Sequence, residues 1–391
     1  PQGSQIKYDD RSFRFVQFTV SGYYPTRADL DPSPPRQTTR GSGPEVPGPR
    51  SPLPPRFLPA AAATPTMSRS DSTGRDLLVL GEKFNGLPPA DLATALRDRL
   101  PEWTVTAATT PAERRQRAAN ATVMVGPSVE ADLLEAATNL ELFACAYAGY
   151  DHLPLDVLAE NDVAVTTASG VHVPNVAEQA MGFVLTFARG LHDAWRRQQR
   201  REWRVTDPGE LSGSTVAIVG LGAIGTGIAE RLDPFGVETV GVRHSPEKGG
   251  PCNEVVGYDD LHDALARAEY VVLACPLTDE TEGLIGEAEL HTLPTDAVIV
   301  NVARGGVIDT NALVAMLRQG GIRGAALDVT DPEPLPEDHP LWNFGNVLIT
   351  PHSAGRTPAY HDRLAEIVAG NAEKAIDERF DELRNRVTLP D

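Results

Sequence analysis

The chain has 391 residues, of which 41% are hydrophobic, and this length and apolar content are enough for the cores of two domains. Its formal net charge of −19 at pH 7 argues against nucleic acids and anionic membranes as main partners. No run approaches the roughly 20 apolar residues that span a bilayer, no secretory signal is recognisable, and three scattered cysteines argue against disulfide and zinc frameworks.

Lysine is scarce, because only four of the 35 basic residues are lysines. An acidic excess with so little lysine is typical of proteins from salt-loving organisms, where molar salt screens carboxylate repulsion within about 3 Å. We therefore expect a halophilic, cytoplasmic protein without a metal site. An ordinary acidic cytosolic protein is the alternative.

Residues 1–66 differ in composition from the rest, because they contain 13 of the 33 prolines. Proline-rich sequence of this kind does not build helix or sheet interiors. We expect residues 1–66 to be a disordered or non-native N-terminal extension, with Met67 as the natural initiator. A functional disordered tail and a transit peptide are the alternatives, and residues 13–20 have the alternation of one strand.

Residues 76–170 alternate between short apolar runs and longer amphipathic ones. This alternation predicts βα units that form a parallel sheet with helices on both faces. We assign the substrate-binding domain to residues 67–170 and 355–391. A last helix, which starts after Thr357 with Pro358 in its first turn and runs to about Asp377, is expected to return to this domain. The predicted strands are 77–80, 121–125, 142–146 and 163–167, and the predicted helices are 90–100 and 130–137.

A long helix is predicted from Asn175 onwards, with Asn175 and Glu178 as a capping box. Its apolar residues recur at helical spacing, so we expect it to be buried on one side and to bridge the two domains. A basic and aromatic run follows at 195–204. In so acidic a chain we expect this run to contact an acidic partner subunit, and a solvated helix face fits it equally well.

The clearest functional signal is a strand at 215–219 that leads directly into Gly220, Gly222 and Gly225. In this G-x-G-x-x-G pattern the first glycine permits the turn, the second lets the backbone approach a pyrophosphate, and the third lets helix and strand pack. A helix at 226–232 then directs its N-terminal amides at the phosphates, and a plain βα turn is the less favoured interpretation. We assign the dinucleotide-binding domain to residues 171–354, with further strands at 238–242, 270–274, 297–302, 324–329 and 347–350.

Three side chains of this domain, Arg304, Glu333 and His352, follow predicted strands. Ligands of an open α/β sheet bind beyond the carboxyl ends of the strands, so we expect the three to converge on the dinucleotide edge. An arginine fork holds a carboxylate, a histidine exchanges a proton with a carbonyl oxygen, and a neighbouring carboxylate orients the histidine and favours its protonated form. With hydride from a nicotinamide, these groups match reversible reduction of a 2-keto acid. Taken singly, they are better explained as a salt bridge, a surface carboxylate and a loop histidine. Their occurrence together along a dinucleotide-binding domain favours the catalytic interpretation.

Five motifs carry a resemblance to a known family: Gly-Leu-Gly-Ala-Ile-Gly at 220–225, Cys-Pro-Leu-Thr at 275–278, Asn-Val-Ala-Arg-Gly-Gly at 301–306, Glu-Pro-Leu-Pro at 333–336 and Pro-His-Ser-Ala-Gly at 351–355. With them the chain closely resembles the D-isomer-specific 2-hydroxyacid dehydrogenases over about residues 76–375. The resemblance implies two Rossmann-like, doubly wound parallel-sheet α/β domains with the cofactor in the cleft between them. It also implies a homodimer and reduction of 2-keto acids to D-2-hydroxy acids.

The resemblance assigns a role to each matching residue. Arg304 binds the substrate carboxylate and carbonyl, Glu333 orients the acid/base His352, and backbone amides of Ala148 and Gly149 meet the carboxylate from the first domain. Asp328 contacts the nicotinamide carboxamide. The cofactor-binding residues implied by the resemblance are Gly220, Gly222, Ala223, Ile224, Gly225, Cys275, Pro276, Thr281, Val302, Ala303, Arg304, Asp328, His352 and Ala354. To these we add Arg243, His244 and Ser245, at the end of the second strand.

One position departs from the family pattern. An acidic residue normally ends the second strand and holds the adenine ribose 2′-hydroxyl, but this chain has Arg243 there, followed by His244 and Ser245. Arginine accommodates a 2′-phosphate instead. We therefore expect NADP as the preferred cofactor, with NAD also able to bind.

Other functions remain open at this stage. The alternative outside the enzymes is a dinucleotide-binding corepressor of the same fold. The full set of Arg304, Glu333 and His352 favours an enzyme over a corepressor. A formate dehydrogenase is disfavoured by Glu333, and a phosphoglycerate dehydrogenase with a regulatory tail is disfavoured because the chain ends soon after the returning helix. The candidate substrates range from glyoxylate and pyruvate to branched 2-keto acids such as ketopantoate.

Overall fold

The computed structural model of the chain describes residues 75–81, 86, 88–150, 152–205 and 208–390. The expected extension at 1–66 and the possible strand at 13–20 lie outside the described residues. The described part holds two wholly parallel sheets connected by helices. This arrangement confirms the predicted fold class of two doubly wound α/β domains.

Five strands form the first sheet: β1 (Asp76–Leu80), β2 (Thr104–Ala108), β3 (Val123–Gly126), β4 (Leu142–Cys145) and β5 (Ala164–Thr166). They lie in the order β2-β1-β3-β4-β5. The connecting helices are α1 (Pro89–Arg99), α2 (Pro111–Ala118), α3 (Ala131–Ala136) and α4 (Leu155–Glu160). The strands β3 and β4 are buried along their whole length, as a parallel sheet covered by helices requires.

The sequence analysis does not predict β2, α2 or α4. Helix α2 buries only Ala118, so it lacks the apolar spacing by which helices are recognised. Its start nevertheless carries a readable signal, because Thr110 and Glu113 form a capping box.

Two helices connect the sheets, α5 (Val173–Ala188) and α6 (Leu191–Gln199). The predicted capping box of Asn175 and Glu178 is wrong, because α5 begins at Val173 and has no side-chain cap. Long-range partners engage Asn175 instead: its Nδ2 donates to the carbonyl of Ala354 at 2.5 Å, and its Oδ1 accepts from Arg363 at 3.0 Å. The residue therefore links distant segments of the chain.

Seven strands form the second sheet: β6 (Thr215–Val219), β7 (Glu238–Val242), β8 (Glu254–Val256), β9 (Tyr270–Leu273), β10 (Val298–Asn301), β11 (Gly324–Leu327) and β12 (Val347–Ile349). Their order is β12-β11-β10-β9-β6-β7-β8, so the strand order reverses between β6 and β9. The helices that follow them are α7 (Ala223–Leu232), α8 (Leu261–Arg267), α9 (Glu287–Thr292) and α10 (Thr310–Gln319). Helix α7 starts directly at the glycine turn, three residues earlier than predicted, and the short strand β8 is not predicted. The reversal beside β6 is the position at which doubly wound sheets bind ligands.

The last helix, α11 (Tyr360–Ile376), returns to the first sheet and packs against α1. The return was predicted, but the placement of Pro358 in its first turn is wrong, because α11 begins two residues later. The Tyr360 hydroxyl donates to the carbonyl of Ala146, directly after β4. The ring of Tyr360 also stacks on His172 with centroids 5.3 Å apart, and burial lowers the pKa of His172.

An arm, residues 191–205, projects beyond α5. Its tryptophans are unusually open, with Trp195 63% and Trp203 102% exposed. Arg197 donates to the carbonyl of Val205 at 2.9 Å and so ties the end of the arm to α6. That a partner subunit covers this arm stays a prediction. None of the helices in the described residues is long and apolar enough to cross a membrane.

Two glycines in helices give a matched test of this packing. A Cβ at Gly225 in α7 would lie 1.9 Å from the Gly220 carbonyl oxygen, whereas a Cβ at Gly370 in α11 would meet nothing within 4 Å. We expect Gly225→Ala to lower the free energy of unfolding by about 1–3 kcal/mol through overpacking. Gly370→Ala should raise it by about 0.4–1 kcal/mol, because alanine restricts the unfolded chain and favours the helix. Urea denaturation of both variants checks the opposite signs, and a stable Gly225→Ala protein would contradict the close contact.

Candidate active site

The glycine turn after β6 has the geometry of a phosphate-binding loop. Gly220 has a φ of +98°, which glycine adopts without strain, and its neighbour in space is the backbone of Cys275. Gly222 faces open space, since a Cβ there would meet nothing within 4 Å. The free backbone at the start of α7 therefore fits a pyrophosphate, and a side chain at position 222 would occupy that room.

A cavity of about 790 Å³, here called the adenosine cavity after the part of the dinucleotide expected in it, opens beside this turn. The half-buried Arg243 donates from Nη1 to the carbonyl of Gly249 at 2.6 Å, which fixes its guanidinium at the cavity wall. His244 lies at the rim, and its Nδ1 is 3.0 Å from Oε2 of Glu280. The lining groups include the predicted residues Gly220, Gly222, Arg243, His244, Ser245, Pro276 and Thr281, together with Lys248, Tyr258, Thr278, Asp279 and Glu280, which the sequence analysis does not single out.

The loop after β9 forms the opposite wall of this cavity. Thr281 is buried and pins the loop, because its hydroxyl donates to the Pro276 carbonyl at 2.6 Å and accepts from the Thr278 amide at 2.8 Å. The side chain of Cys275 instead lies in the hydrophobic core, and burial raises the pKa of its thiol to about 11. Cys275 thus meets the glycine turn through its backbone.

The predicted acid/base pair is in contact. Nδ1 of His352 lies 2.8 Å from Oε2 of Glu333, and the amide of Thr330 donates to Oε1 of Glu333 at 3.0 Å. Because a carboxylate only accepts, Nδ1 is the nitrogen that carries the proton in this pair. Among the described contacts only Nδ1 is engaged, so Nε2 is the ring nitrogen that can serve a substrate. His352 and Glu333 line a cavity of about 510 Å³, which also includes Trp342, Leu335 and Ile349.

Asp328 holds the loop that carries His352. Its buried carboxylate accepts from the Thr350 hydroxyl at 2.5 Å and from the amides of Ser353 and Ala354, both at 3.0 Å. Its carbonyl accepts from the His352 amide at 2.7 Å. His352 is kept at a φ of +49°, which is uncommon for a residue with a Cβ. The implied contact of Asp328 with a nicotinamide carboxamide stays a prediction.

Arg304 is exposed on the neighbouring loop, after β10. The buried Asn301 clamps this loop, since its Nδ2 donates to the Arg304 carbonyl at 2.9 Å and its Oδ1 accepts from the Ala303 amide at 3.0 Å. Arg304 donates from Nη1 to the carbonyl of Ala303 at 2.7 Å and forms no ion pair with a described carboxylate. Val302, Ala303 and Ala354 are buried, so they shape the site chiefly through their backbone.

Gly305 joins the arginine loop to the acid/base pair. A Cβ there would lie 2.0 Å from the carbonyl carbon of Thr330, the residue whose amide binds Glu333. Arg304, Glu333 and His352 are therefore brought to one edge of the sheet through backbone contacts. The sequence analysis does not identify Asn301 and Thr330 as positioning residues. Asn301 could have been found, because it is a polar residue at the end of an otherwise apolar strand.

The first-domain loop predicted to meet the substrate follows β4 and is exposed at Ala148 and Gly149. The thiol of Cys145 accepts from the amide of Tyr147 at 3.4 Å and supports the start of this loop. No hydrogen bond between described residues joins it to Arg304 or His352, so its substrate role stays a prediction. Within the described ranges, no group of three His, Cys, Asp or Glu side chains is arranged to hold a metal ion.

Known proteins resemble this chain in sequence and in fold. The family model for the NAD binding domain of D-isomer specific 2-hydroxyacid dehydrogenases matches residues 181–354. A glyoxylate reductase of Thermofilum pendens is 36% identical over 253 residues, which cover 62% of this chain and 74% of that protein. A D-3-phosphoglycerate dehydrogenase of Methanocaldococcus jannaschii is 33% identical over 304 residues, which cover 76% of this chain and 57% of that protein.

Among solved structures, a D-isomer specific 2-hydroxyacid dehydrogenase from Xanthobacter autotrophicus Py2, in complex with NADPH and MES, is 29% identical with a TM-score of 0.65. The match covers 80% of this chain and 98% of that one. The glycine turn, the arginine loop and the paired His352 and Glu333 thus occur in a chain that is similar to these proteins in fold and sequence. This protein belongs to the D-isomer-specific 2-hydroxyacid dehydrogenase family and is an oxidoreductase with a nicotinamide-dinucleotide-binding domain.

Proposed function

We propose that this protein catalyses the reversible, stereospecific reduction of 2-keto acids to D-2-hydroxy acids. The contact of His352 with Glu333 at 2.8 Å, on the sheet edge that carries the glycine turn, is the observation that supports this most directly. The nicotinamide supplies the hydride when it is bound. The residues of the chain bind the substrate and transfer the proton.

Each of the three side chains has one task in this proposal. Arg304 binds the substrate carboxylate with its planar fork, which is exposed and free of any described carboxylate. His352 donates a proton from Nε2 to the substrate keto oxygen, while Glu333 holds the opposite side of the ring. Asp328 keeps the loop of His352 in position through its four hydrogen bonds.

We propose glyoxylate and other small 2-keto acids as the first substrates to test. The similarity to a glyoxylate reductase supports this choice, although pyruvate and ketopantoate fit the same chemistry. A panel of 2-keto acids, assayed with NADPH and with NADH, separates these possibilities.

Variants of the two exposed site residues test the mechanism. We expect His352→Asn to lower kcat by about 100- to 10,000-fold, the usual contribution of general acid catalysis, with cofactor affinity near normal. Arg304→Lys should raise KM for the keto acid more than it affects cofactor binding, because lysine cannot form the fork. His291→Asn is the matched control, because His291 is exposed and bonds only to its own helix. A His352→Asn enzyme with near-normal kcat would refute the assignment.

We also propose that NADPH is preferred over NADH. Arg243, His244 and Lys248 give the adenosine cavity three basic side chains, and Arg243 stands where a carboxylate would repel a 2′-phosphate. The relative from Xanthobacter autotrophicus was solved with NADPH, which is consistent with this preference.

Replacing the arginine should remove most of the preference for NADPH. A charge-assisted hydrogen bond contributes about 1.5–3 kcal/mol, so we expect kcat/KM to favour NADPH by about ten- to a hundredfold and Arg243→Asp to remove most of this ratio. Arg318→Asp, at an exposed position of α10, controls for the change in net charge. The preference is refuted if the wild-type enzyme favours NADH, and the role of Arg243 is refuted if the ratio survives Arg243→Asp.

We propose that a second copy of this chain covers the arm, which combines exposed tryptophans with five arginines in a protein of net charge −19. Sedimentation equilibrium should then show a dimer that Trp203→Glu weakens by at least about tenfold in dissociation constant. Phe235→Glu is the control, because Phe235 is another exposed aromatic residue outside the arm. A monomeric wild-type protein would contradict the proposal.

A further inference from the structure

Glu280 lines the cavity in which the 2′-phosphate of NADPH is proposed to bind. It reaches His244 across the rim of the adenosine cavity, with Nδ1 at 3.0 Å from Oε2 and 3.3 Å from Oε1. Both side chains are half or more exposed, at 74% for His244 and 52% for Glu280. The contact is therefore solvent-exposed, and a ligand can rearrange it.

The other basic groups of the cavity are placed differently. Arg243 is tied to a backbone carbonyl, that of Gly249, and no contact among the described residues pairs Arg243 or Lys248 with a carboxylate. Both cations therefore line the cavity without a carboxylate partner among the described residues. Among the described residues, His244 is the basic residue of the cavity that contacts a carboxylate.

The charge of Glu280 is felt inside the cavity. Burial, together with the charges of Cys275 and Glu280, raises the pKa of the Tyr258 hydroxyl to about 12. Tyr258, Glu280 and Arg243 line the same cavity. A 2′-phosphate bound in this cavity would be repelled by the carboxylate of Glu280.

We propose that Glu280 is a specificity-determining residue that weakens binding of a 2′-phosphate, both by repelling it and by holding His244. The inference rests on the proposed NADPH-binding role of this cavity. The proposed 2′-phosphate site therefore includes a carboxylate that opposes binding of the phosphate. Removing the charge of Glu280 should strengthen discrimination for the phosphorylated cofactor.

Binding of cofactor fragments to the full chain tests this without any keto acid. We would measure dissociation constants of 2′,5′-ADP and of 5′-ADP by calorimetry at pH 7, for wild type and Glu280→Gln. We expect 2′,5′-ADP to bind the variant about three- to tenfold more tightly, with 5′-ADP changed less than twofold. Glu282→Gln is the matched control, since Glu282 is exposed nearby but does not line the cavity.

A double-variant cycle separates the two parts of the effect. If Glu280 acts partly by holding His244, the gain from Glu280→Gln should shrink in a His244→Asn background. An equal gain in affinity for 2′,5′-ADP in both backgrounds would show that Glu280 does not act by holding His244. Equal changes for both ligands, or no change for either, would overturn the whole inference.

Failure of the NADPH proposal would be seen separately. It would appear as wild-type protein that binds 2′,5′-ADP no more tightly than 5′-ADP. The proposal about Glu280 concerns how much the dissociation constant of 2′,5′-ADP changes between wild type and Glu280→Gln. It is therefore supported or refuted whichever cofactor the wild type prefers.

Discussion

The buried carboxylate of Asp328 fixes the loop on which the chemistry of this protein depends. It is only 2% exposed and accepts hydrogen bonds from one hydroxyl and two amides of residues 350–354. Burying a charge costs several kcal/mol unless donors surround it, and hydrogen bonds to a charged group contribute about 1.5–3 kcal/mol each. The same bonds hold His352 in a left-handed backbone conformation that costs about 1–3 kcal/mol. The imidazole is therefore in position before a ligand arrives.

The rest of the site is aligned by backbone contacts. Parallel strands end at one edge, so the loops after β10, β11 and β12 are neighbours whatever their side chains. Gly305 lets the first of these loops lie directly on Thr330, and the amide of Thr330 orients Glu333. The loops of Arg304 and His352 are thus aligned at one sheet edge through a glycine and an amide. Neither of these groups takes part in the proposed reaction.

The sequence predicts the features that depend on local pattern. The strands around Gly220 and their glycine turn are recognisable because apolar runs and glycine spacing are properties of adjacent residues. The capping box of Asn175 fails because Ala354 and Arg363, both more than 170 residues away, engage that side chain. Asn301 and Glu280 were missed for a related reason. Their importance comes from a partner or a cavity that only the folded chain creates.

Ala354 shows how the site is joined to the first domain. Its amide donates to Asp328, while its carbonyl accepts from Asn175 at the start of α5. Arg363 binds the other side of Asn175 and also the carbonyl of Val171, so α11 is tied to the same crossover. Two chain segments cross between the sheets here, before α5 and before α11, and these hydrogen bonds fasten them together. A rotation of one sheet relative to the other about this crossover would leave Ala354 bound to Asp328, and His352 would keep its place on the dinucleotide-binding domain.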